Sequence, residues 1–117
     1  MSDDNRPPGK TTVSPGVLMS IARMAALGVP GVTAVGRPES SRDRVFRSKA
    51  LDGVRLTTHD DMITGDMYLV IKSGLNVREV CRDVQQQVAR ALQEMAGMTI
   101  ARLDIHVEDI DYSGAEA

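Results

Sequence analysis

The clearest alternation of hydrophobic and polar positions lies between Asn76 and Gly97, and it predicts one amphipathic helix of about twenty residues. Asn76 is a favourable N-cap residue, Glu79 stands three positions later as in a capping box, and Gly97 suits the left-handed residue that ends a helix. The apolar residues recur every three or four positions and form one stripe: Val77, Val80, Cys81, Val84, Val88, Ala91, Leu92 and Met95. We therefore expect this helix to cover a flat apolar surface.

The hydrophobic period changes from 3.6 to 2 after Gly97. Polar residues alternate there with the apolar residues Ala101, Leu103, Ile105 and Val107. Such alternation is typical of a strand with one buried face. The long helix thus leads directly into a strand of the sheet that it covers.

The N-terminal half predicts a second helix and three further strands. Ser14 is an N-cap residue followed by Pro15, and an apolar stripe continues to a stop at Gly28, so we predict a helix over residues 15–27. Strands are predicted over residues 32–35, 54–59 and 66–72. The last two form a hairpin through a polar turn at 60–65. Residues 11–13 are compatible with a further short edge strand. Because residues 67–71 are almost continuously apolar, we expect this last strand to be central.

These elements predict an α+β two-layer sandwich, with a mixed or antiparallel sheet of about four strands and two helices packed on one face. One domain is expected over residues 11–109, which suits the chain's 117 residues. A disordered lead-in at 1–10, a mobile loop at about 37–51 and an acidic frayed tail at 110–117 complete the prediction.

Net charge argues against nucleic acid as the main partner, because the chain carries a formal charge of −2 at neutral pH. The charges are unevenly placed, however. Residues 37–49 are rich in arginine, whereas residues 104–116 hold five acids and no lysine or arginine. We expect these two segments to be able to pair between subunits.

The single cysteine, Cys81, excludes an internal disulfide and fits a reducing compartment. The sequence has no apolar run long enough for a membrane-spanning helix, and its N-terminus is polar where a signal peptide would be apolar. These observations predict a cytoplasmic protein.

Three segments in the same order resemble the alkaline-shock, Gls-type envelope stress response family of bacteria. They are residues 9–32 (GKTTVSPGVLMSIARMAALGVPGV), 67–91 (MYLVIKSGLNVREVCRDVQQQVARA) and 95–109 (MAGMTIARLDIHVED). The resemblance implies a small non-enzymatic protein of cell-envelope homeostasis, without catalytic residues or a cofactor. It also implies partners: the protein itself, or a membrane-anchored envelope protein that would hold it at the inner face of the cell membrane.

The candidate interaction residues fall into two groups. One is the basic loop and the other is the apolar side of the predicted central strand; together they are Arg37, Arg42, Arg44, Arg47, Lys49, Met67, Leu69 and Ile71. The second helix offers a further surface for a partner.

Three alternative chemistries are weaker. Residues 28–31 fit the G-x-x-G loop of KH modules, which would make the chain a small RNA-binding domain using that turn and the basic loop, but a helix stop and a turn also explain both glycines. His59 and His106 lie on the polar phase of their strands and would need neighbouring acids to hold a metal, so we expect two solvated histidines. Cys81 lies in the apolar stripe, where we expect an inert thiol.

Overall fold

The computed structural model describes residues 9–36 and 53–114. Within these ranges the chain forms two helices and four strands. They are α1 (Pro15–Leu27), β1 (Val32–Val35), β2 (Val54–His59), β3 (Met62–Lys72), α2 (Val77–Ala96) and β4 (Thr99–Asp111).

Both helices begin and end where their capping residues predict. The Ser14 hydroxyl accepts a hydrogen bond from the Val17 backbone N–H at 3.4 Å, and Asn76 Oδ1 accepts one from the Glu79 N–H at 3.1 Å. Gly97 closes α2 in the left-handed conformation with φ of 69°. These bonds satisfy backbone groups that a helix end otherwise leaves unpaired, so the local sequence determines the bounds of each helix.

The sheet is mixed, and β3 is its central strand. Along one edge β3 pairs with β4 in parallel over its whole length, from Met62 opposite Thr99 to Lys72 opposite Asp111. Along the other edge β3 pairs antiparallel with β2 and then with β1. Because β4 occupies one edge completely, β1 and β2 share the other edge end to end. The predicted α+β sandwich with a central third strand is thus confirmed.

The chain leaves and rejoins this shared edge at the same point of β3. The Gly36 N–H donates to the Tyr68 carbonyl at 2.7 Å, and the Tyr68 N–H donates to the Gly53 carbonyl at 2.8 Å. Gly36 and Gly53 therefore lie side by side. The basic loop predicted at about 37–51 lies outside the described residues.

The core lies between the helices and one face of the sheet. Alternate residues of β3 point into it, and their side chains are fully buried together with the α2 stripe: Ile63, Met67, Leu69, Ile71, Val84, Val88 and Leu92. Helix α1 adds Leu18, Ile21, Ala22 and Ala26 to the same cluster. Both helices consequently cover the same face, and the other face of the sheet remains open in the described part of the chain.

Three element bounds differ from the prediction. Residues 11–13 do not form a strand. Strand β3 begins at Met62 rather than at residue 66, because the turn before it consists only of Asp60 and Asp61, with Asp60 at φ 57°. The hairpin can close this tightly because an aspartate tolerates the left-handed region. Strand β4 also continues to Asp111, although a frayed tail was predicted from residue 110. The Asp111 carbonyl accepts a hydrogen bond from the Ser73 N–H at 2.9 Å, and this bond holds the end of the strand in place.

Candidate interaction surfaces

The outer edge of β4 is the longest backbone edge in the described structure. The strand spans Thr99–Asp111, and no described strand other than β3 pairs with it. Such an edge presents backbone N–H and C=O groups that another strand can pair with. Secondary structure alone therefore makes this edge a candidate interaction surface.

An apolar strip accompanies this edge on the helix side of the sheet. Leu103 is buried at its centre, whereas Ile100, Ile105, Val107 and Ile110 are only half-buried against the core. Helix α2 lies above the strand and is fixed to it where Gln85 Nε2 donates to the Leu103 carbonyl at 2.9 Å. A partner along β4 would complete the burial of these side chains.

The open face of the sheet carries a connected polar cluster. His106 Nε2 lies 2.9 Å from Asp66 Oδ1, and the His106 ring stacks on Tyr68 with centroids 4.6 Å apart and an interplanar angle of 18°. On the same strand Arg102 Nε donates to Asp104 Oδ1 at 3.1 Å, and this hydrogen bond raises the pKa of the Arg102 guanidinium. The cluster joins β3 to β4 across the parallel pair.

The sequence did not identify this cluster as a unit, although each of its residues lies on the polar phase of its strand. Only the register brings it together, since it places Tyr68 opposite His106 and Asp66 opposite Asp104. Alternation alone does not show which strands are neighbours or how they align.

The structure corrects the prediction that an apolar side of β3 is an interaction surface. Met67, Leu69 and Ile71 have no exposed surface because their side chains point toward the helices. A strand alternates its side chains, so the opposite face of β3 carries Tyr68 and Val70 instead. The five basic candidates, Arg37, Arg42, Arg44, Arg47 and Lys49, lie outside the described residues, and their role stays a prediction.

The two histidines lie on the same face of the sheet but do not converge. His59 is level with Met62 of β3, while His106 is level with Tyr68. Six residues of strand separate these levels by roughly 20 Å. In the described ranges, no three His, Cys, Asp or Glu side chains are grouped so as to hold a metal ion.

Cys81 and the 28–31 turn both have structural roles. Cys81 is partly buried against the core, and this burial raises the pKa of its thiol, which disfavours the reactive thiolate. Gly28 caps α1. Gly31, at φ 103°, lies so close to the chain around the start of α2 that a Cβ there would come 2.7 Å from Leu75 Cδ1, just before the helix, and 3.2 Å from Val80 Cγ2 within it. The turn leads into β1, whereas the G-x-x-G loop of a KH module joins two helices.

A groove of about 790 Å³ runs between the two helices on the side away from the sheet. Its lining combines apolar and charged side chains: Met24, Ala25, Gly28, Val29, Pro30, Asp83, Gln87, Arg90, Ala91 and Glu94. Met24 is two-thirds exposed, and Arg90 pairs with Glu94 at 3.2 Å along the rim. This shape offers contact area but no set of groups arranged for chemistry.

Asp111, the last residue of β4, has a carboxyl group whose contacts make the stability of the domain depend on pH. The Ser113 N–H donates to Asp111 Oδ1 at 2.9 Å, and this bond, helped by Thr33 and Lys72, lowers the pKa of the Asp111 carboxyl. A lowered pKa means that the ionised carboxylate stabilises the fold above the unfolded pKa, and that this stability is lost as pH falls through the folded pKa.

Replacing Asp111 with Asn is therefore expected to destabilise the domain slightly at pH 7. The difference from the wild type should shrink as the pH falls below about 4. Urea unfolding at both pH values measures it, with Asp61→Asn in the exposed hairpin turn as the control. A difference that does not change with pH would contradict this assignment.

Comparison with known proteins yields both relatives and a structural likeness. Among relatives, the chain is 32% identical over 103 residues to Spy1535 of Streptococcus pyogenes serotype M6, covering 87% of this chain and 79% of that protein. It is 31% identical over 107 residues to YqhY of Bacillus subtilis strain 168, covering 89% and 78%. Both relatives are described as uncharacterized proteins.

Solved structures of similar shape include forms of the MamM CTD. The H264E-E289H form has a TM-score of 0.57 at 19% identity and covers 85% of this chain and 86% of that one. The copper form has a TM-score of 0.56 at 20% identity, covering 80% and 84%. At such low identity the likeness concerns the fold alone.

No described helix has the length and apolar character required to cross a membrane. The model of the alkaline shock protein family, whose function is described as cell envelope-related, matches residues 3–112, nearly the whole chain. This match confirms the resemblance drawn from the sequence. The chain belongs to the alkaline shock protein family.

Proposed function

We propose that the protein is a non-catalytic, cytoplasmic interaction domain that serves cell-envelope homeostasis by binding copies of itself or an envelope-associated partner. The family supplies the link to the envelope. The observation that carries the interaction role is the β4 edge, a 13-residue strand with one unpaired side in the described structure and a half-buried apolar strip beside it.

The open edge favours binding over catalysis. On the open face of the described part of the sheet, polar side chains contact each other in pairs, His106 with Asp66 and Arg102 with Asp104. The description of the family names a cell envelope-related function and no reaction, which supports this proposal. Nothing in the described residues or the comparisons favours the RNA-binding alternative.

The envelope location follows from a partner rather than from the domain itself. A membrane-anchored protein that recognises the exposed edge or the helix groove would hold the domain peripherally at the inner face of the membrane. The basic segment at residues 37–49 is a candidate for this contact, because lysine and arginine clusters favour acidic partners and anionic lipid.

Self-association is tested by light scattering after size exclusion over a wide range of protein concentration. We expect the mass to rise from that of the 12.7 kDa monomer toward twice this value or more as the concentration increases. A short single-stranded RNA, added in a parallel run at low salt, should leave the mass unchanged. A monomer at every concentration that shifts only with RNA would reverse the assignment.

Changing Arg42, Arg44 and Arg47 together to Ser tests the basic segment in the same assay. If this segment pairs with the acidic residues 104–116 of another copy, the variant should associate less and lose its dependence on salt. Unchanged association and unchanged salt dependence would remove the basic segment from the interface.

A further inference from the structure

We propose that a second copy of this chain docks on β4 edge to edge and antiparallel, around a twofold axis that passes beside Ile105. The inference rests on the proposed self-association and specifies its surface and register. Two β4 strands paired in this way would join both sheets into one, with all four helices on the same side.

The apolar residues of β4 are arranged symmetrically about Ile105. In the proposed register Leu103 faces Val107 of the other copy, and Ile100 faces Ile110. All these side chains point to the helix side of their own sheet, as their register with the core residues of β3 shows. Directly opposed residues of an antiparallel pair lie on the same face, so the two half-buried strips would meet and bury each other.

The polar residues of β4 are complementary about the same point, through one pair of opposite charges and one carboxylate–imidazole pair. Arg102 faces Glu108 of the other copy, and Asp104 faces His106. Because the axis is twofold, each of these pairs occurs twice. Arg102 and Glu108 are both exposed. Arg102 already pairs with Asp104 of its own chain at 3.1 Å, so Glu108 of the other copy would place a second carboxylate beside the same guanidinium.

Neighbouring registers lose this complementarity. An axis at Asp104 sets that carboxylate against itself, and an axis at His106 sets Asp104 against Glu108. An axis between two residues would instead oppose side chains from different faces of the sheet. Like charges directly opposite each other destabilise a strand pair, so the register centred on Ile105 is favoured.

The local geometry of β4 agrees with this centre. Its register against β3 shifts once after Ile100 and once after Val107, and the six residues between the shifts, 102–107, run regularly. Strand pairing is most easily extended along a regular stretch, because a bulge bends the strand and disrupts its ladder. The regular stretch contains the proposed axis and the pairs of Leu103 with Val107 and of Asp104 with His106, whereas Glu108 is the extra residue at the second shift and Ile100 and Ile110 lie beyond the shifts.

Two charge reversals provide the test. Residue 102 of one copy faces residue 108 of the other at two places in the dimer. In the Arg102→Glu variant both of these residues are acidic, and in the Glu108→Arg variant both are basic. A dimer of either variant alone therefore opposes like charges at both places. An equimolar mixture opposes only unlike charges, since the acidic edge of one variant meets the basic edge of the other. We expect each variant to associate at least tenfold more weakly than the wild type, and the mixture to regain association.

Sedimentation and light scattering of each variant and of the mixture give the readout, and thermal unfolding shows that each variant is folded. Arg55→Glu, the same charge reversal on an exposed position of β2, is the matched control and should associate as the wild type does. Recovery in the mixture cannot arise from a folding defect, because both components carry their substitutions throughout.

The outcomes separate this inference from the proposed function. If the wild type associates and both variants associate equally well, β4 is not the interface, although self-association stands. If both variants weaken but the mixture does not recover, the antiparallel register is wrong. A wild type that is monomeric at every concentration would overturn the self-association itself.

Discussion

Replacing Val84 with Asp is expected to unfold the domain at room temperature. Val84 is completely buried between α2 and β3. The substitution removes roughly 1.5–3 kcal/mol of apolar burial and places a carboxylate where its desolvation costs several kcal/mol more. A domain of this size has a total stability of only about 5–15 kcal/mol. Leu92→Asp, equally buried and further along the same stripe, should have the same effect.

Circular dichroism during thermal unfolding measures this effect. Gln86→Asp is the matched control, because it puts the same carboxylate on the exposed side of the same helix and should change the stability by only about 0.5 kcal/mol. If Val84→Asp kept the midpoint of the wild type, the core side of α2 would have to be reassigned.

The same stripe shows why the helices were predictable from the sequence. Asn76, Gly97 and the apolar spacing between them act within a few residues of one another, and the structure reproduces the bounds that they predict. The strands were predictable in position for a related reason, since period-two alternation is also local. The lengths of the strands were harder to predict. Strands β3 and β4 extend through polar residues, which are held in the strand by pairing with a neighbouring strand.

The hydrophobic pattern did not predict how distant parts of the chain pack against each other. The continuous apolar run of β3 showed that the strand is central but not which of its side chains face the helices. Met67, Leu69 and Ile71 consequently looked like an interaction surface, whereas they form the core. The parallel alignment of β3 with β4, which assembles the cluster of Tyr68 and His106, is likewise set by tertiary packing.

One signal for the candidate interface was nevertheless present in the sequence. The symmetry of charge and hydrophobicity about Ile105 can be seen in the letters from Ile100 to Ile110. It becomes informative only when the structure shows β4 at an edge, because a strand paired on both sides has no use for self-complementarity.

Replacing Gly53 with Ala is expected to cost more stability than the same change at Gly74. Both glycines have positive φ, 85° and 89°, so both variants carry the conformational cost of an L-residue in that region, about 1–2 kcal/mol. At Gly53 a Cβ would also overlap the Gly36 backbone nitrogen, whereas at Gly74 it would meet nothing within 4 Å.

Backbone cannot move aside as a flexible side chain can, so Gly53→Ala must separate the two chain segments that meet opposite Tyr68. That displacement weakens the hydrogen bonds of Gly36 and Gly53 to the Tyr68 backbone, each worth about 0.5–1.5 kcal/mol. We therefore expect a total loss of roughly 3 kcal/mol, measured by urea unfolding, against about 1 kcal/mol for Gly74→Ala. Equal losses in the two variants would mean that the sheet does not depend on the contact between Gly36 and Gly53. A larger loss at Gly53 would show that the close approach of these glycines holds β1 and β2 in line along one edge of β3.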